Sequence, residues 1–322
     1  MRGGRFLVAP DSFKGTFDAR SVAEAIAAGI EAAGGAAERC PVADGGEGTM
    51  AVLLGELGGD LHRAEVHDPL RRPIEASFGL LADGRTAIVE AAEASGLPLL
   101  APRERDAERA DTFGTGELIA AAIAAGAGRV LLACGGSATT DGGRGAIEAL
   151  HRDDPAAIEV LCDVKTPYED AARVFAPQKG ASPEAVARLT DRLGSFAADL
   201  PRDPRGVPMT GCAGGLSGGL WAYGAVLRPG ADFVLDAVGF GARLARADAV
   251  VSGEGRFDAQ SLEGKVVGAI AGRSADAGKP LHLIVGQSGF EGRLPSSVSS
   301  LREAGSLEGI RSAAAELPRP HP

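Results

Sequence analysis

Residues 129–150, "RVLLACGGSATTDGGRGAIEAL", contain the pattern that decides the fold. The apolar run 129–134 is typical of a short buried strand, and the apolar spacing after residue 143 indicates a helix. Between them, the loop 135–143 consists mostly of glycines and hydroxyl side chains, with one acid. Strand, glycine-rich loop and helix in this order are the unit from which parallel α/β sheets are built.

The same order of elements recurs towards both ends of the chain. The strand "RFLVAP" leads into a helix over residues 18–35, in which Ser21 and Glu24 predict a capping box. A second strand, "ERCPV", precedes the loop "ADGGEGT" and another helix, and "ADAVVSGEGR" begins a similar unit in the last third. In the middle, Ala82-Asp83-Gly84 has the composition of a turn between antiparallel strands. We therefore expect two α/β domains, of which the first is discontinuous.

Composition limits the classes of partner. The chain has 322 residues, 45% of them apolar, and a formal net charge of -10 without any run of Lys and Arg. Nucleic acid and anionic membrane are therefore not expected partners. Cys40, Cys134, Cys162 and Cys212 have no zinc-ligand spacing, which predicts free thiols. We find no secretory signal or membrane span in the sequence, so we expect a cytoplasmic location.

The loop 135–143 has the chemistry of an anion site. A glycine-rich turn that opens a helix directs backbone N–H groups towards an anion. Ser137, Thr139 and Thr140 add hydroxyl donors for phosphate oxygens, and Asp141 could bind a metal ion or accept a proton. Neither a Walker loop nor a dinucleotide fingerprint is present. The alternative interpretation is a tight turn that needs glycine for its backbone conformation alone.

Three further glycine-rich loops, "PDSFKG", "ADGGEGT" and "SGEGRFDAQS", carry charged side chains. Cations in them are candidates for clamping phosphate or carboxylate, or else are solvated surface groups. Acids in them are candidates for Mg²⁺ or substrate hydroxyls, or else cap turns. The cations are Lys14, Arg256 and, just beyond the third loop, Lys265; the acids are Asp44, Glu47 and Glu254.

Eight blocks of this sequence resemble one known family. They occur from residue 8 to about residue 268, in the order and approximate spacing of the bacterial ATP-dependent glycerate 2-kinases. The blocks are "VAPDSFKG", "PVADGGEGT", "GTGELI", "GGSATTDGG", "CDV", "PQKGA", "AGGLSGGL" and "SGEGRFDAQSLEGKV". The resemblance implies an enzyme that phosphorylates D-glycerate from ATP with Mg²⁺, giving 2-phosphoglycerate and ADP.

The resemblance also implies an architecture. It predicts an α/β fold in which a discontinuous Rossmann-like parallel-sheet domain, residues 1–60 and 240–322, carries a second, inserted α/β domain, residues 61–239. The active site is expected in the cleft between the domains, with glycerate and ATP as small-molecule partners. Oligomeric state is left open.

Within this framework the candidate residues receive roles, and which acid is the general base stays open. The catalytic candidates are Lys14, Asp44, Glu47 and Asp141. The substrate-binding candidates are Ser12, Lys14, Arg256 and Asp258. The phosphate- or nucleotide-binding candidates are Gly135, Gly136, Ser137, Thr139, Thr140, Lys179 and Lys265. The metal-binding candidates are Asp141 and Glu254.

Two departures from the family pattern favour a second hypothesis. The segment between Leu150 and Leu161 is shorter than in the family, and residues 166–170 read "TPYED" where the family tends to have Asn-Pro-Leu. These departures suit a degenerate paralogue that binds a nucleotide or a small hydroxy acid without turnover. The three intact acidic loops favour the enzyme.

Overall fold

The computed structural model describes residues 4–150, 156–262 and 265–318. The chain forms two compact units: unit 1 comprises Met1–Asp44 and Ala231–Pro322, and unit 2 comprises Gly45–Gly230. These limits differ from the sequence-based boundaries at 60/61 and 239/240. At the first boundary the reason is that the helix after residue 48 and the strand after residue 58 pack with the strands of unit 2. Among the described helices, none has the length and apolar content needed to cross a membrane.

The elements have the following bounds. The strands are β1 (Arg5–Val8), β2 (Ala36–Arg39), β3 (Gly59–His67), β4 (Pro73–Leu81), β5 (Thr86–Glu90), β6 (Arg129–Cys134), β7 (Ala157–Cys162), β8 (Val226–Pro229), β9 (Ala249–Ser252), β10 (Arg256–Phe257), β11 (Leu281–Val285), β12 (Gln287–Ser288) and β13 (Val298–Glu303). The helices are α1 (Ala19–Ala32), α2 (Thr49–Leu57), α3 (Ala91–Ser95), α4 (Phe113–Ala124), α5 (Arg144–Ala149), α6 (Ala171–Phe175), α7 (Pro183–Asp199), α8 (Cys212–Ala222), α9 (Gly230–Ala237), α10 (Phe240–Arg246), α11 (Val266–Asp276) and α12 (Leu307–Ala315).

Unit 1 contains a parallel sheet with strand order β13-β11-β9-β1-β2. Counted within this five-stranded sheet, which excludes the separate pair β10-β12, this is the doubly wound order 2-1-3-4-5, in which the direction of winding reverses between β1 and β9. Ligands of such sheets bind beyond the carboxyl ends of the strands at that reversal. The loops after β1 and β9, which are about 240 residues apart in sequence, are therefore the expected walls of a site.

Helix α1 covers this sheet and packs closely on α12. A Cβ on Gly29 would lie 2.8 Å from the Cβ of Ala314, so only glycine allows this approach. The predicted capping box at Ser21 is wrong: Asp18 caps the helix, its side chain accepting from the Ser21 N–H at 2.7 Å, so the N-cap lies three residues before Ser21. Glu24 instead accepts from Arg39 Nε at 2.8 Å.

Unit 2 contains a mixed sheet with order β3-β4-β5-β6-β7-β8. Strands β3, β4 and β5 pair antiparallel, which confirms the predicted turn after β4, and the remaining pairs are parallel. Strand β6, its loop and helix α5 have the bounds expected from the sequence. The shortened connection after Leu150 includes residues 151–155, which lie outside the described residues. Strand β7 nevertheless pairs with β6 along its whole length, from Ala157 to Cys162.

The second departure, residues 166–170, supports the loop 135–143. Tyr168 is completely buried, and its hydroxyl donates to the carbonyl oxygen of Gly142 at 3.4 Å. Its ring lies where side chains on Gly215 and Gly218 would otherwise extend. Gly142 itself has φ +71°, and a Cβ there would overlap the Tyr168 hydroxyl.

This packing predicts a large cost for Gly142→Ala. Gly126 also has positive φ, +104°, but a Cβ there would meet nothing within 4 Å. Gly126→Ala should therefore cost only backbone strain, about 1–2 kcal/mol. Gly142→Ala should cost about 1–3 kcal/mol more, because the tyrosine must move. Urea unfolding followed by fluorescence of Trp221, the single tryptophan, measures both values within unit 2. Equal losses in the two variants would contradict the packing argument.

Candidate active site

The loops after β1 and β9 enclose a cavity of about 460 Å³ in unit 1, which we call the acidic basin. Its wall brings together seven residues predicted from the sequence: Ser12, Lys14, Asp44, Glu254, Arg256, Asp258 and Lys265. Asp11, which the sequence analysis did not select, lines it as well. Lys265, predicted on the nucleotide side, thus lies with the substrate-binding candidates.

A salt bridge orients the central charges of the basin. Lys14 Nζ lies 3.0 Å from Asp44 Oδ2, and the two side chains are 52% and 3% exposed. Asp44 thus orients the ammonium group of Lys14, whose side chain is half-exposed. Arg256 is 76% exposed, and its Nε lies 3.9 Å from Asp258 Oδ2. A pair this exposed contributes little energy, so the guanidinium can turn towards a ligand.

Two carboxyl groups of the basin hold protons unusually strongly. Asp11 is only 6% exposed, and burial together with the charges of Asp44 and Glu254 raises its pKa to about 8. Burial also raises the pKa of Glu254 to about 7, and its Oε1 atom is buried without a hydrogen-bond partner among the described residues. Carboxyl groups poised near neutral pH are typical of sites that move protons or bind cations.

Unit 2 has its own cavity of about 360 Å³ at the loop 135–143, which we call the glycine-loop basin. Four predicted phosphate-binding residues, Gly135, Gly136, Ser137 and Lys179, line it together with the predicted catalytic residue Glu47. The predicted loops 43–49 and 135–143 meet here. A Cβ on Gly135 would lie 2.7 Å from Gly46 Cα, so this contact requires glycine.

Lys179 places a buried cation against this loop. It is 2% exposed, and its Nζ donates to Ser137 Oγ at 3.1 Å and to the carbonyl oxygen of Thr139. Burial lowers the pKa of Lys179 to about 8. Its ammonium group is therefore charged at neutral pH and loses its proton in mildly alkaline solution.

Three predicted residues of the loop lie beneath the basin instead of lining it. Thr139 and Thr140 are completely buried, so their hydroxyls do not face this cavity. The carboxylate of Asp141 accepts hydrogen bonds of 2.8 to 3.1 Å from the backbone N–H groups of Thr112, Gly143 and Gly145 and from the Thr112 hydroxyl. These contacts favour a structural role for Asp141, joining the starts of α4 and α5.

Glu90, at the end of β5, is a second acid that the sequence analysis did not select. It is 5% exposed, and its Oε1 accepts from the N–H groups of Gly48 at 3.0 Å and Met50 at 2.7 Å. Burial raises the pKa of Glu90 to about 7 despite these two hydrogen bonds. Through its two hydrogen bonds to Gly48 and Met50, Glu90 holds the loop that carries Glu47 in place.

Comparison with known proteins identifies the family to which this chain belongs. A model described as the glycerate kinase family matches residues 6–153 and 151–304. The chain belongs to the glycerate kinase family. A glycerate kinase of Haemophilus influenzae is 38% identical over 88% of this chain and 85% of its own length. A glycerate 2-kinase of Escherichia coli is 35% identical with the same two coverages.

A solved structure agrees with the family assignment. A crystal structure from Salmonella typhimurium LT2, assigned as glycerate kinase 2, matches 97% of this chain and 96% of its own with a TM-score of 0.82 and 33% identity. The predicted family, the α/β fold class with parallel sheets and the enzyme class, a glycerate kinase, are thereby confirmed. The roles of individual residues and the domain boundaries stay predictions.

The family resemblance implies Mg²⁺, an ion that prefers oxygen ligands. Among the described residues, no group of three or more His, Cys, Asp or Glu side chains is placed to hold a metal ion. Mg²⁺ in kinases is commonly held by one or two carboxylates together with phosphates and water. The unpartnered Glu254 Oε1 fits that smaller requirement, and Asp141, with its oxygens already engaged, fits it less well.

The raised pKa of Glu90 predicts a pH-dependent effect of Glu90→Gln. The folded protein keeps this proton up to about pH 7, whereas an unfolded glutamate releases it near pH 4.5. Wild type therefore loses stability as pH rises through this window, and the uncharged amide does not. The variant should gain on the order of 1–3 kcal/mol relative to wild type between pH 4.5 and 8.

Urea unfolding of both proteins at several pH values measures this difference. Glu90→Leu serves as the second variant, because it removes the acceptor for Gly48 and Met50 as well as the titrating group, and should be less stable than Glu90→Gln by about 1–3 kcal/mol at every pH. Parallel pH curves for wild type and Glu90→Gln would show that this carboxyl does not titrate as inferred.

Proposed function

We propose that this protein transfers the γ-phosphoryl group of ATP to the C2 hydroxyl of D-glycerate, giving 2-phosphoglycerate and ADP. The observation that carries the proposal is the acidic basin, where the Lys14–Asp44 pair lies beside two carboxyl groups that hold protons near neutral pH. The similarity to a protein described as glycerate 2-kinase supports transfer to C2.

The acidic basin suits a small hydroxy acid. Lys14 and Arg256 are the cations that bind the carboxylate of glycerate in this proposal, with Ser12 beside them. Asp44, held in place by Lys14, orients the C2 hydroxyl. Asp11 in its ionised form, which becomes more populated as the pH rises towards its pKa of about 8, accepts the hydroxyl proton as the oxygen attacks. A general base works best when its pKa lies near the working pH.

The glycine-loop basin suits the nucleotide. Backbone N–H groups at residues 135–137, the Ser137 hydroxyl and the Lys179 ammonium group are donors for phosphate oxygens. Leu97, Pro98 and Phe175 provide apolar lining of the kind that an adenine ring contacts. Ordered donors that stabilise spreading negative charge are the main contribution of a protein to phosphoryl transfer.

Two further features belong to the proposal. Glu254 is the residue that would hold a Mg²⁺ ion, and the ion would supply neutralisation of negative charge during phosphoryl transfer. The location of the active site between the domains stays a prediction. It would bring bound ATP and glycerate together, which phosphoryl transfer requires. All four cysteines are buried free thiols, which supports the proposed cytoplasmic location.

A coupled ADP-release assay with Mg-ATP and D-glycerate tests the activity. Asp44→Asn should lower kcat by about 10²- to 10⁴-fold, since it removes the charge that orients the hydroxyl and pairs with Lys14. Asp276→Asn makes the same change at an exposed position of unit 1 outside the basin and should keep wild-type kcat. Phosphorus NMR of the product distinguishes 2- from 3-phosphoglycerate.

Binding of ATP by wild type without glycerate-dependent ADP release would support the hypothesis of a binder without turnover. Two observations beside the departures from the family pattern support the enzyme. Strand β7 keeps its place in the sheet, and Tyr168 fills the space beneath the loop 135–143.

The lowered pKa of Lys179 predicts that the KM for ATP rises with pH. Below about pH 8 the ammonium group is charged and attracts phosphate, and above it the neutral amine does not. Lys179→Met should raise this KM about 10- to 100-fold at pH 7 and remove most of the rise between pH 7 and 9. Initial rates at constant ionic strength measure both effects. An unchanged pH profile in the variant would assign the titration to another group.

A further inference from the structure

A third cavity, of about 420 Å³, lies in unit 2 and belongs to neither basin. It lies between residues 103–109 and the segment that leads into α7, and we call it the arginine cavity. Its charged lining consists of Arg103, Arg105 and Arg109 and the three acids between them in sequence. Its volume is within the range of small-molecule sites.

The three acids of the arginine cavity are engaged by other groups. Glu104 pairs with Arg72 at 2.8 Å. Glu108 accepts two hydrogen bonds of 2.8 Å from Arg188. Asp106 accepts from the backbone N–H groups of residues 108 and 109. Arg72 also pairs with Asp68 at 2.5 Å. Counting Arg72, Asp68 and Arg188, five guanidinium groups accompany four carboxylates, so the cavity and its surroundings carry one positive charge in excess.

Arg105 is the residue that points to a ligand. Its side chain is half-buried, and its Nε atom is buried without a hydrogen-bond partner among the described residues. A guanidinium group cannot relieve this by losing its proton, since its pKa is too high. A partly buried guanidinium group left without an acceptor is costly, and an anion in the cavity would supply acceptors to its terminal nitrogens.

We propose that the arginine cavity is a binding site for a small phosphate-bearing anion, either inorganic phosphate or a phosphate monoester. The fork of Arg105 would bind the phosphate oxygens, and the exposed Arg103 and Arg109 would contact the oxygens that remain. Phosphate suits three guanidinium groups better than a carboxylate does, because it has more acceptor oxygens and a larger charge. The proposal does not depend on which hydroxyl the enzyme phosphorylates.

The site adjoins the glycine-loop basin through one short segment. Gly180 lines the arginine cavity, and its neighbour Lys179 reaches Ser137 in the basin. Gly180 has φ +91°, and a Cβ on it would lie 3.1 Å from the Arg105 carbonyl oxygen. An anion bound by Arg105 therefore lies against the backbone that positions Lys179.

Hydrogen-exchange mass spectrometry of the full chain tests the proposal, because it locates protection along the sequence. Inorganic phosphate and, separately, 2-phosphoglycerate should slow exchange in peptides that cover residues 101–110 and 180–186, whereas acetate at equal ionic strength should not. Arg105→Gln should weaken the effective probe about 10- to 100-fold. Arg205→Gln removes the same charge from an exposed pair with Asp203 outside the cavity and should match wild type.

Three results would overturn the proposal. Protection confined to residues 135–137 and 179 would mean that phosphate binds only in the glycine-loop basin. Equal weakening by Arg105→Gln and Arg205→Gln would mean attraction by net charge alone, and equal protection by acetate would exclude a preference for phosphate. Arg109→Gln, at an exposed side chain of the same cavity, replaces Arg105→Gln if the latter does not fold, and should also weaken binding.

Discussion

The parallel pairing of β1 with β9 is the constraint on which the acidic basin depends. It joins segments about 240 residues apart in sequence and places the loops that follow them at one edge of the sheet. Burial in the assembled basin makes ionisation of both Asp11 and Glu254 costly, and the charges of Asp44 and Glu254 add to this cost for Asp11. The chemistry of this basin is therefore a property of the strand order.

In unit 2 the corresponding constraint is the close approach of backbones that only glycine permits. Gly135 approaches Gly46, and Gly142 leaves room for the hydroxyl of Tyr168. The two interpretations of the loop 135–143 therefore apply to different residues. Gly142 is required by packing and positive φ, whereas Gly135, Gly136 and Ser137 line a cavity and remain available to a phosphate. Glycine in this loop permits both the packing and the approach of an anion.

The sequence was sufficient for the parts of the structure that depend on local patterns. The strand, loop and helix of residues 129–149 have the predicted bounds, and most of the predicted charged residues line one of two cavities. The sequence was insufficient to predict which residues line a cavity where this depends on the direction or burial of a side chain. Thr139 and Thr140 belong to the predicted loop, but they face inward. Asp11 follows a buried strand and Glu90 ends one. This position identifies them as candidate site residues only once the strands are placed in a sheet.

The buried acids also bear on whether the site has kept its function. A carboxyl group with a raised pKa in the folded state reduces the free energy of unfolding as pH rises through that pKa. Asp11, Glu254 and Glu90 therefore each make the protein less stable at neutral pH than an uncharged side chain of similar shape would. Glu90 offsets part of this cost through its two backbone hydrogen bonds, but Glu254 has a buried oxygen without any partner among the described residues. A protein that only bound its ligand would have little to lose by replacing that carboxyl, so its presence favours a site in which charge or protons move.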